Sequence, residues 1–205
     1  MEKLKQPFTG YYPITQLFGQ NLSAYYKADG LLGHQGIDFA MPTGTPIIAP
    51  CNGVVFSIST DIKKGEGVTI LSDDIFQWNG QPCQFACVHW HMKDKSIVVK
   101  MGDKVKTGDL LGLSNNTGQS TGPHLHFSIL PLSPDTTRTY LAGLSNGFGG
   151  SVDPMPYLDL TLPPVSQKET KIKELQTLLN KWGATLVVDG KFGLLSNKAL
   201  QNFLK

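Results

Sequence analysis

The sequence predicts a mainly β protein with a small all-α domain at its C-terminal end. Its 205 residues include 22 glycines and 13 prolines, which favours short strands joined by turns over long helices. Residues 10–160 carry turn-punctuated strand patterns, whereas apolar residues recur at helical spacing near the end of the chain. The Pro-containing polar segment 161–170 separates the two patterns. We therefore predict one domain at 1–160, a linker at 161–170 and a helical domain at 171–205.

Composition and charge exclude several classes of protein. A hydrophobic content of 40% with 17% charged residues is typical of a globular chain. The formal charge of +2, without a dense Lys/Arg cluster, argues against a nucleic-acid partner. No run approaches the roughly 18 apolar residues of a membrane span, and no secretory signal is visible near the start. We expect a monomer that is synthesised in the cytoplasm and has neither a membrane nor a nucleic acid as its partner.

All histidines of the chain fall in three short motifs. The five histidines are His34, which precedes Asp38 by four positions, His89 and His91 in CVHWHM, and His124 and His126 in GPHLHFSIL. Side chains two positions apart on a strand share a face, about 6.6 Å apart at ~3.3 Å per residue. Two such pairs beside an imidazole and a carboxylate favour a functional constellation over five separate structural histidines.

The apolar residues around these pairs predict how each strand is oriented. In GPHLHFSIL, one face carries Leu125, Phe127 and Ile129, and the histidines lie on the other face, as in a half-buried strand. In CVHWHM, the same alternation predicts that Trp90 faces the core together with its apolar neighbours. His89 and His91 would then share the opposite face.

His34 and Asp38 can meet only if the chain bends between them. On a straight strand their Cα atoms would be about 13 Å apart, but Gly33 and Gly36 permit a bend or a close backbone approach. Two imidazoles and one carboxylate with an open fourth position are the ligand set of a catalytic zinc site. Five donors exceed what one tetrahedral ion takes, so the surplus histidines are candidates for the general base and the transition-state stabiliser. Parity alone does not separate ligands from catalysts.

Three segments together carry a family resemblance, and a fourth closes it: GLLGHQGIDFAMPTGTPIIAPCNGVV, VHWHMKDKSIVVKMGDKVKTGDLLG, NNTGQSTGPHLHFSIL and VDPMPYL. From about Pro13 to Leu158 the chain resembles the lysostaphin-type (LytM-like) zinc endopeptidases, which cut peptidoglycan cross-links. The resemblance implies an antiparallel β-sandwich with a zinc groove. It also implies one zinc ion per chain, held by His34, Asp38 and His126.

The same resemblance implies that His91 and His124 are the catalytic pair. An alignment shifted by two residues would make His89 the catalyst instead, but Met92 fits the apolar position that follows the catalytic histidine and favours His91. His89 stands where the family usually has an aromatic residue, so we expect it in the substrate groove. The same groove is predicted to include Asn116, Thr117 and Ser120.

Two further features are interpreted as structural. The phrase MGDKVKTGDLLG is similar to lipoyl- and biotin-carrying domains, but the flanked attachment lysine of those carriers is absent, so we predict a tight turn between short strands. The three cysteines, Cys51, Cys83 and Cys87, are an odd number without finger-type partners, which favours buried free thiols over a disulfide framework or a structural zinc site.

The C-terminal segment resembles the small three-helix peptidoglycan-binding domain. It has that family's Leu-Gln in the first helix and its Asp-Gly-x-Phe-Gly turn at 189–193. Ser196 is a possible N-cap of the second helix. Two apolar faces are predicted, with Ile172, Leu175, Leu178 and Leu179 in the first helix and Leu200, Phe203 and Leu204 in the second.

The function expected from these features is hydrolysis of bacterial peptidoglycan by a zinc endopeptidase with its own anchoring domain. The absence of a visible signal suggests a phage endolysin that reaches the wall through a holin-type lesion. Two alternatives stay open: a metal-free relative that binds the wall or activates another hydrolase, and a D-alanyl metallo-carboxypeptidase.

Overall fold

The computed structural model describes residues 3–20, 25–160, 167–181 and 183–189, with residues 191, 196 and 199. The chain divides into two compact units, 1–161 and 162–205. The first unit consists mainly of strands, which confirms the predicted mainly β class. None of the helices in the described ranges combines the length and the apolar character that a membrane crossing requires.

Short strands joined by turns build the first unit. In the described residues they are β1 Leu4–Lys5, β2 Ile14–Gln16, β3 Ile37–Ala40, β4 Pro46–Ile48, β5 Gly53–Asp61, β6 Gly65–Ser72, β7 Phe76–Trp78, β8 Gln81–Met92, β9 Lys104–Val105, β10 Leu110–Leu113, β11 His124–Leu132 and β12 Leu158–Asp159. A four-residue helix, α1 Tyr25–Ala28, and a 3₁₀ turn, Met155–Tyr157, interrupt them.

An eight-stranded antiparallel sheet organises this unit. Its strand order is β2-β3-β11-β8-β6-β5-β9, and β7 pairs with β8 beside this path. Two smaller sheets accompany it, an antiparallel pair of β4 with β10 and a parallel pair of β1 with β12. Strand β11 therefore lies between β3 and β8, which places all three histidine motifs on or beside adjacent strands.

The alternation predicted for β11 is observed. Leu125, Phe127 and Ile129 are fully buried in the main apolar core. His126 and Ser128 point to the other face, where they are also almost fully buried. The polar face of β11 is therefore covered by protein rather than open along its length.

Strand β8 departs from regular alternation at the HWH motif. Val68 of β6 pairs with His89 and Glu66 pairs with Met92, so Trp90 and His91 together lie opposite Gly67 alone. This extra residue is a β-bulge, and His91 adopts a positive φ of 63° within it.

The bulge corrects the orientation predicted for this strand. His89 lies on the core face, fully buried, with its ring centroid 5.3 Å from that of Phe127. Trp90 points to the opposite face and stacks on His126. The bulge turns His91 to this second face as well, where its ring lies 4.5 Å from that of His124. The prediction that Trp90 faces the core while His89 and His91 share a face is therefore wrong.

The segment MGDKVKTGDLLG forms two tight turns, at 100–103 and 106–109, on either side of β9. Each turn has a glycine at positive φ, Gly102 or Gly108. In each, an aspartate carboxylate accepts a hydrogen bond from the lysine amide three residues earlier. The structural interpretation of this phrase is confirmed.

The three cysteines are buried and unpaired, as predicted. Burial raises the pKa of Cys83 to about 11, and it raises the pKa of Cys87 well above its usual value. Both thiols are therefore protonated, and weak nucleophiles, at neutral pH.

The described part of the second unit is chiefly one helix, α2 Gln167–Lys181. It begins inside the segment predicted as linker, because Gln, Lys and Glu at its start are good helix formers; residues 161–166 lie outside the described residues. Leu179 is buried as predicted, whereas Leu178 is 47% exposed.

Gln176 of α2 connects this helix to the segment after it. Its amide donates hydrogen bonds to the Asp189 carboxylate, the Lys191 carbonyl and the Ser196 hydroxyl, at 2.9, 3.0 and 3.3 Å. Ser196 and Ala199 are helical. The rest of the predicted second helix, with Leu200, Phe203 and Leu204, lies outside the described residues, so the all-α character of this domain stays a prediction.

Candidate metal centre

Three side chains predicted as metal ligands converge on one point at the floor of a cleft. The Asp38 Oδ1 atom lies 3.0 Å from His34 Nε2 and 3.0 Å from His126 Nδ1, and the two nitrogens are 2.9 Å apart. In the described part of the chain these residues form a group of His and Asp donors able to hold a metal ion. The strands and loops of the first unit therefore bring the predicted ligand set together.

The pairing of β3 with β11 delivers two of these side chains. His126 lies directly opposite Asp38 in the antiparallel register, so their side chains are cross-strand neighbours on one face. His34 precedes β3, in a loop whose backbone is tied to the 17–20 segment by hydrogen bonds of 2.8 and 2.9 Å.

Two glycines allow this loop to approach its neighbours. A Cβ at Gly33 would lie 2.5 Å from the Gly19 carbonyl oxygen, and one at Gly36 would lie 2.4 Å from the Phe127 carbonyl oxygen. Neither glycine has a positive φ. The predicted bend therefore depends on close backbone packing and not on the left-handed conformation.

The hydrogen bonds around the ligand set leave room for a cation. His34 Nδ1 donates to the Leu17 carbonyl at 3.2 Å, so its Nε2 atom presents a lone pair to the site. His126 Nδ1 lies within hydrogen-bond distance of both Asp38 and His34, so a proton on this atom and a metal ion would occupy the same space between the three inward atoms. Tetrahedral zinc with bonds of about 2.0–2.1 Å would separate its ligand atoms by about 3.3 Å, close to the spacing here. The residues present therefore fit a divalent metal.

Asp38 is ionised in this environment. Burial alone would raise the pKa of its carboxyl group, but hydrogen bonds and charge interactions with His126 and His34 lower the pKa well below its usual range. An ionised carboxylate beside two imidazole nitrogens is a strong ligand set for zinc.

His91 and His124 lie beside the ligand set without belonging to it. His91 Nδ1 donates to the Thr117 carbonyl at 2.7 Å, and His124 Nδ1 donates to the Gly122 carbonyl at 2.8 Å. Each Nε2 atom therefore carries a lone pair and is available for proton transfer. Burial, followed by the nearby charge of His126, lowers the pKa of His91 to about 4.

The ligand set opens into a cleft of about 520 Å³. Four histidines, His34, His91, His124 and His126, line it together with Asp38. The other described residues of the lining are Gln16, Tyr26, Asp29, Leu31, Gln35, Lys63, Lys64, Trp90, Gln119, Ser120 and Thr121. One side of the lining therefore comes from the β5–β6 turn and another from the segment before β11.

Only one of the four predicted groove residues lines this cleft. Ser120 does, and its hydroxyl lies 3.1 Å from His124 Nδ1. His89 does not, because the β8 bulge leaves it on the core face. Asn116 is exposed and lies outside the lining of the cleft. Thr117 also lies outside the lining: its hydroxyl donates to the Met92 carbonyl and accepts from the Glu66 amide, and its carbonyl accepts from His91 Nδ1. The groove prediction for His89 is therefore wrong, because its side chain is fully buried, whereas groove roles for Asn116 and Thr117 stay predictions.

Sequence reasoning missed Trp90 as a residue of the site. Its indole stacks on the His126 imidazole with centroids 4.9 Å apart and planes at 15°, and Lys64 Nζ lies 4.9 Å from the indole centroid. The letters of the HWH motif do not by themselves indicate the bulge that turns Trp90 toward the site. The only hint is Gly67, which stands opposite and leaves space for the indole.

Comparison with known proteins gives a consistent result. Residues 32–136 match the sequence profile of peptidase family M23. The peptidoglycan DD-endopeptidase ShyA of Vibrio cholerae is 37% identical over 97 residues, which cover 47% of this chain and 20% of the relative. The glycyl-glycine endopeptidase ALE-1 of Staphylococcus capitis is 32% identical over 130 residues, covering 61% of this chain and 29% of the relative.

A similar structure has also been solved. It is a mutant of the catalytic domain of the prophage-encoded M23 protein EnpA from Enterococcus faecalis, with 30% identity and a TM-score of 0.53. The similarity covers 75% of this chain and 97% of that domain. By contrast, the chain spans only 20–30% of the length of the curated relatives that it matches.

Proposed function

Because this chain belongs to peptidase family M23, we propose that it is a zinc-dependent endopeptidase that hydrolyses peptide cross-links of bacterial peptidoglycan. The observation that carries the proposal is the convergence of His34 Nε2, Asp38 Oδ1 and His126 Nδ1 at 2.9–3.0 Å in the floor of a cleft. The names of two relatives, a peptidoglycan DD-endopeptidase and a glycyl-glycine endopeptidase, support the substrate class.

In this proposal the three converging residues hold one zinc ion, which supplies Lewis-acid chemistry to a water molecule and to the scissile carbonyl. His91 and His124 act on protons beside it. Their Nδ1 atoms are fixed on backbone carbonyls, so each imidazole presents Nε2 at a set angle. One Nε2 accepts the proton of the attacking water. It then delivers that proton to the leaving amine, while the other imidazole, in its protonated form, donates a hydrogen bond to the charge that develops on the carbonyl oxygen.

The ligand geometry argues against the metal-free alternative. A relative that only binds the wall has no need for a buried, ionised carboxylate between two imidazoles, and taking such a charge out of water costs free energy. Asp38 is 9% exposed and has both His34 and His126 at hydrogen-bond distance. No comparable observation favours the carboxypeptidase alternative.

The test combines metal content with product analysis. Purified wild-type protein should contain about one zinc per chain and should release peptides from isolated walls, with the cleaved bond identified by mass spectrometry of the muropeptides. Walls with direct cross-links and walls with glycine bridges should be digested in parallel, because the relatives differ in this respect by name. His126→Ala should lose both zinc and release. Full zinc occupancy in that variant, or undigested walls of both kinds with the zinc-loaded wild type, would refute the proposal.

We further propose that the protein serves as a phage endolysin. The prophage origin of the solved domain from Enterococcus faecalis supports this role. Expression in the cytoplasm of a susceptible host should then leave growth intact until chloroform opens the inner membrane, after which turbidity should fall for wild type and not for His126→Ala. Equal turbidity traces for the two proteins after chloroform would contradict it.

A further inference from the structure

Among the described residues, none accepts from His126 the outer-ring hydrogen bond that usually orients a metal-binding histidine. Such histidines nearly always donate their outer ring N–H to a carboxylate, a carbonyl or a water, which fixes the tautomer and the ring plane. His34, by contrast, makes this bond through Nδ1 to the Leu17 carbonyl. The outer atom of His126, Nε2, is buried and has no hydrogen-bond partner in the part of the chain that the structure describes.

Packing takes the place of the missing bond. The Trp90 indole lies nearly parallel to the His126 ring, at 15°, with centroids 4.9 Å apart. Gly36 closes the Nε2 edge, since a Cβ there would lie 2.9 Å from Nε2 itself. The His126 ring is therefore covered on one face by an aromatic plane and at its outer edge by backbone.

Several features of the fold serve to bring Trp90 to this position. Trp90 is the cross-strand neighbour of His126 in the β8–β11 register. The bulge opposite Gly67 sends its indole to the same face as His126. Gly67 itself must lack a side chain, because a Cβ there would lie 2.6 Å from Trp90 Cδ1. The strand irregularity and the glycine together create a slot for the indole.

We propose that Trp90 is a positioning residue for the metal centre, which holds the His126 imidazole by stacking so that Nδ1 faces Asp38 and His34. The inference rests on the proposed function, because it assumes that His126 binds zinc. In this role Trp90 acts through the His126 ring and not as a ligand of the metal. It acts by restricting rotation of the imidazole, while the Gly36 backbone covers the Nε2 edge.

The test measures zinc affinity separately from activity. Zinc dissociation constants should be determined by competition with a chelating dye for wild type, Trp90→Ala and Trp90→Phe. Loss of an outer-shell partner typically costs about 10–100-fold in metal affinity, and we expect a loss in this range for Trp90→Ala. Trp90→Phe should recover most of it, because a flat ring is restored. Trp78→Ala, which removes an indole from β7 at the edge of the apolar core, is the matched control and should bind zinc as wild type does.

Metal-free unfolding curves of the same proteins separate positioning from general stability. If Trp90→Ala does not fold, a comparison of Trp90→Phe with Trp90→Leu decides, since the two side chains are similar in bulk and only phenylalanine stacks. In zinc-loaded wild type, the His126 ring protons should also show the upfield NMR shift that an indole face produces.

The outcomes distinguish this inference from the proposed function. Wild-type zinc affinity in Trp90→Ala, equal affinities in the phenylalanine and leucine variants, or unshifted His126 ring protons would overturn the role of Trp90 alone. A wild-type protein that binds no zinc would overturn both.

Discussion

The proposed catalytic pair, His91 and His124, differs from the proposed metal ligands in how its imidazoles are held. His34 and His126 turn a nitrogen to within 3.0 Å of Asp38, whereas His124 Nε2 lies 3.6 Å from the same oxygen. His91 lies beside His124 on the neighbouring strand, with ring centroids 4.5 Å apart. The two are therefore placed to act on protons next to the metal without holding it.

For His91→Ala and His124→Ala we expect folded, zinc-replete proteins with little turnover. Losing a positioned proton-transfer group or a donor to the oxyanion typically costs about 10²–10⁴ in rate. Measuring kcat on a soluble cross-link peptide together with zinc content checks this. A variant that keeps near-wild-type turnover, or one that loses its zinc, would show that the residue has been given the wrong role.

His89 illustrates what a histidine does when it is buried away from the site. Its Nδ1 donates to the Val68 carbonyl at 3.0 Å, and its Nε2 has no hydrogen-bond partner among the described residues. Burial lowers the pKa of His89 from 6.5 to about 4, and the Val68 hydrogen bond only partly offsets this. Between these two values the unfolded chain binds a proton at this residue and the folded protein does not.

The stability that depends on neutral His89 should therefore be complete above about pH 6.5 and decline as the pH falls toward 4. The unfolding free energy lost through this residue is about 3 kcal/mol, because a pKa difference of one between the folded and unfolded states corresponds to about 1.36 kcal/mol. His89→Asn keeps a donor for Val68 and cannot titrate, so its unfolding free energy should fall less over this range. Urea unfolding at pH 7 and pH 4.5 checks this, and parallel pH profiles of the two proteins would contradict it.

At the residue scale, the sequence predicts the candidate metal ligands better than it predicts how the residues around them are oriented. His34, Asp38 and His126 could be named because the family resemblance implies this set, whereas motif spacing alone left ligands and catalysts unseparated. The position of His89 could not, because a single extra residue in β8 reverses which face each side chain takes. A bulge depends on the register of two strands and not on the local pattern of either one.

At the scale of elements, the site depends on how closely the His34 loop and β11 approach. Gly36 is buried, and a Cβ at this position would lie 2.4 Å from the Phe127 carbonyl oxygen. Backbone atoms cannot yield as a flexible side chain can, so the loop before β3 would have to move away from β11. Such a shift would displace Asp38 and His34 relative to His126.

Gly36→Ala should therefore weaken zinc binding and lower the free energy of unfolding by about 1–3 kcal/mol, the usual range for overpacking. Gly122→Ala is a suitable control because it has open space around its Cβ, lacks a positive φ and precedes the same strand. Zinc competition and urea unfolding of both variants check the prediction. Equal values for the two would mean that the close approach has no role.

The short strands and turns were predictable because glycine, proline and aspartate mark them directly, as in the two turns around β9. The start of α2 was less predictable. Helix boundaries depend on capping and packing, and the polar residues after 166 favour a helix about as well as a linker.

At the scale of the whole molecule, the candidate site lies entirely within the first of the two units. The proposed metal ligands, the proposed catalytic pair and the lining of the cleft all belong to residues 1–161. The match to family M23 also lies within this range, at residues 32–136. In the second unit, Gln176 ties α2 to residues 189, 191 and 196 by hydrogen bonds internal to that unit.

We therefore predict that a fragment ending at Thr161 cleaves a soluble cross-link peptide with wild-type kcat but binds walls more weakly. Two linked binding modules raise the local concentration of each at its target, so losing one lowers affinity for an insoluble polymer without changing the chemistry at a small peptide.

Peptide kinetics of the fragment and the full chain should agree, while sedimentation with purified walls should leave more of the fragment in the supernatant. The sedimentation should use the His126→Ala variant of both the fragment and the full chain, so that catalysis does not alter the walls. Equal pelleting of the two lengths would remove the wall-binding role from residues 162–205, whereas a fragment that fails on the soluble peptide would show that the first unit needs the second to fold or to act.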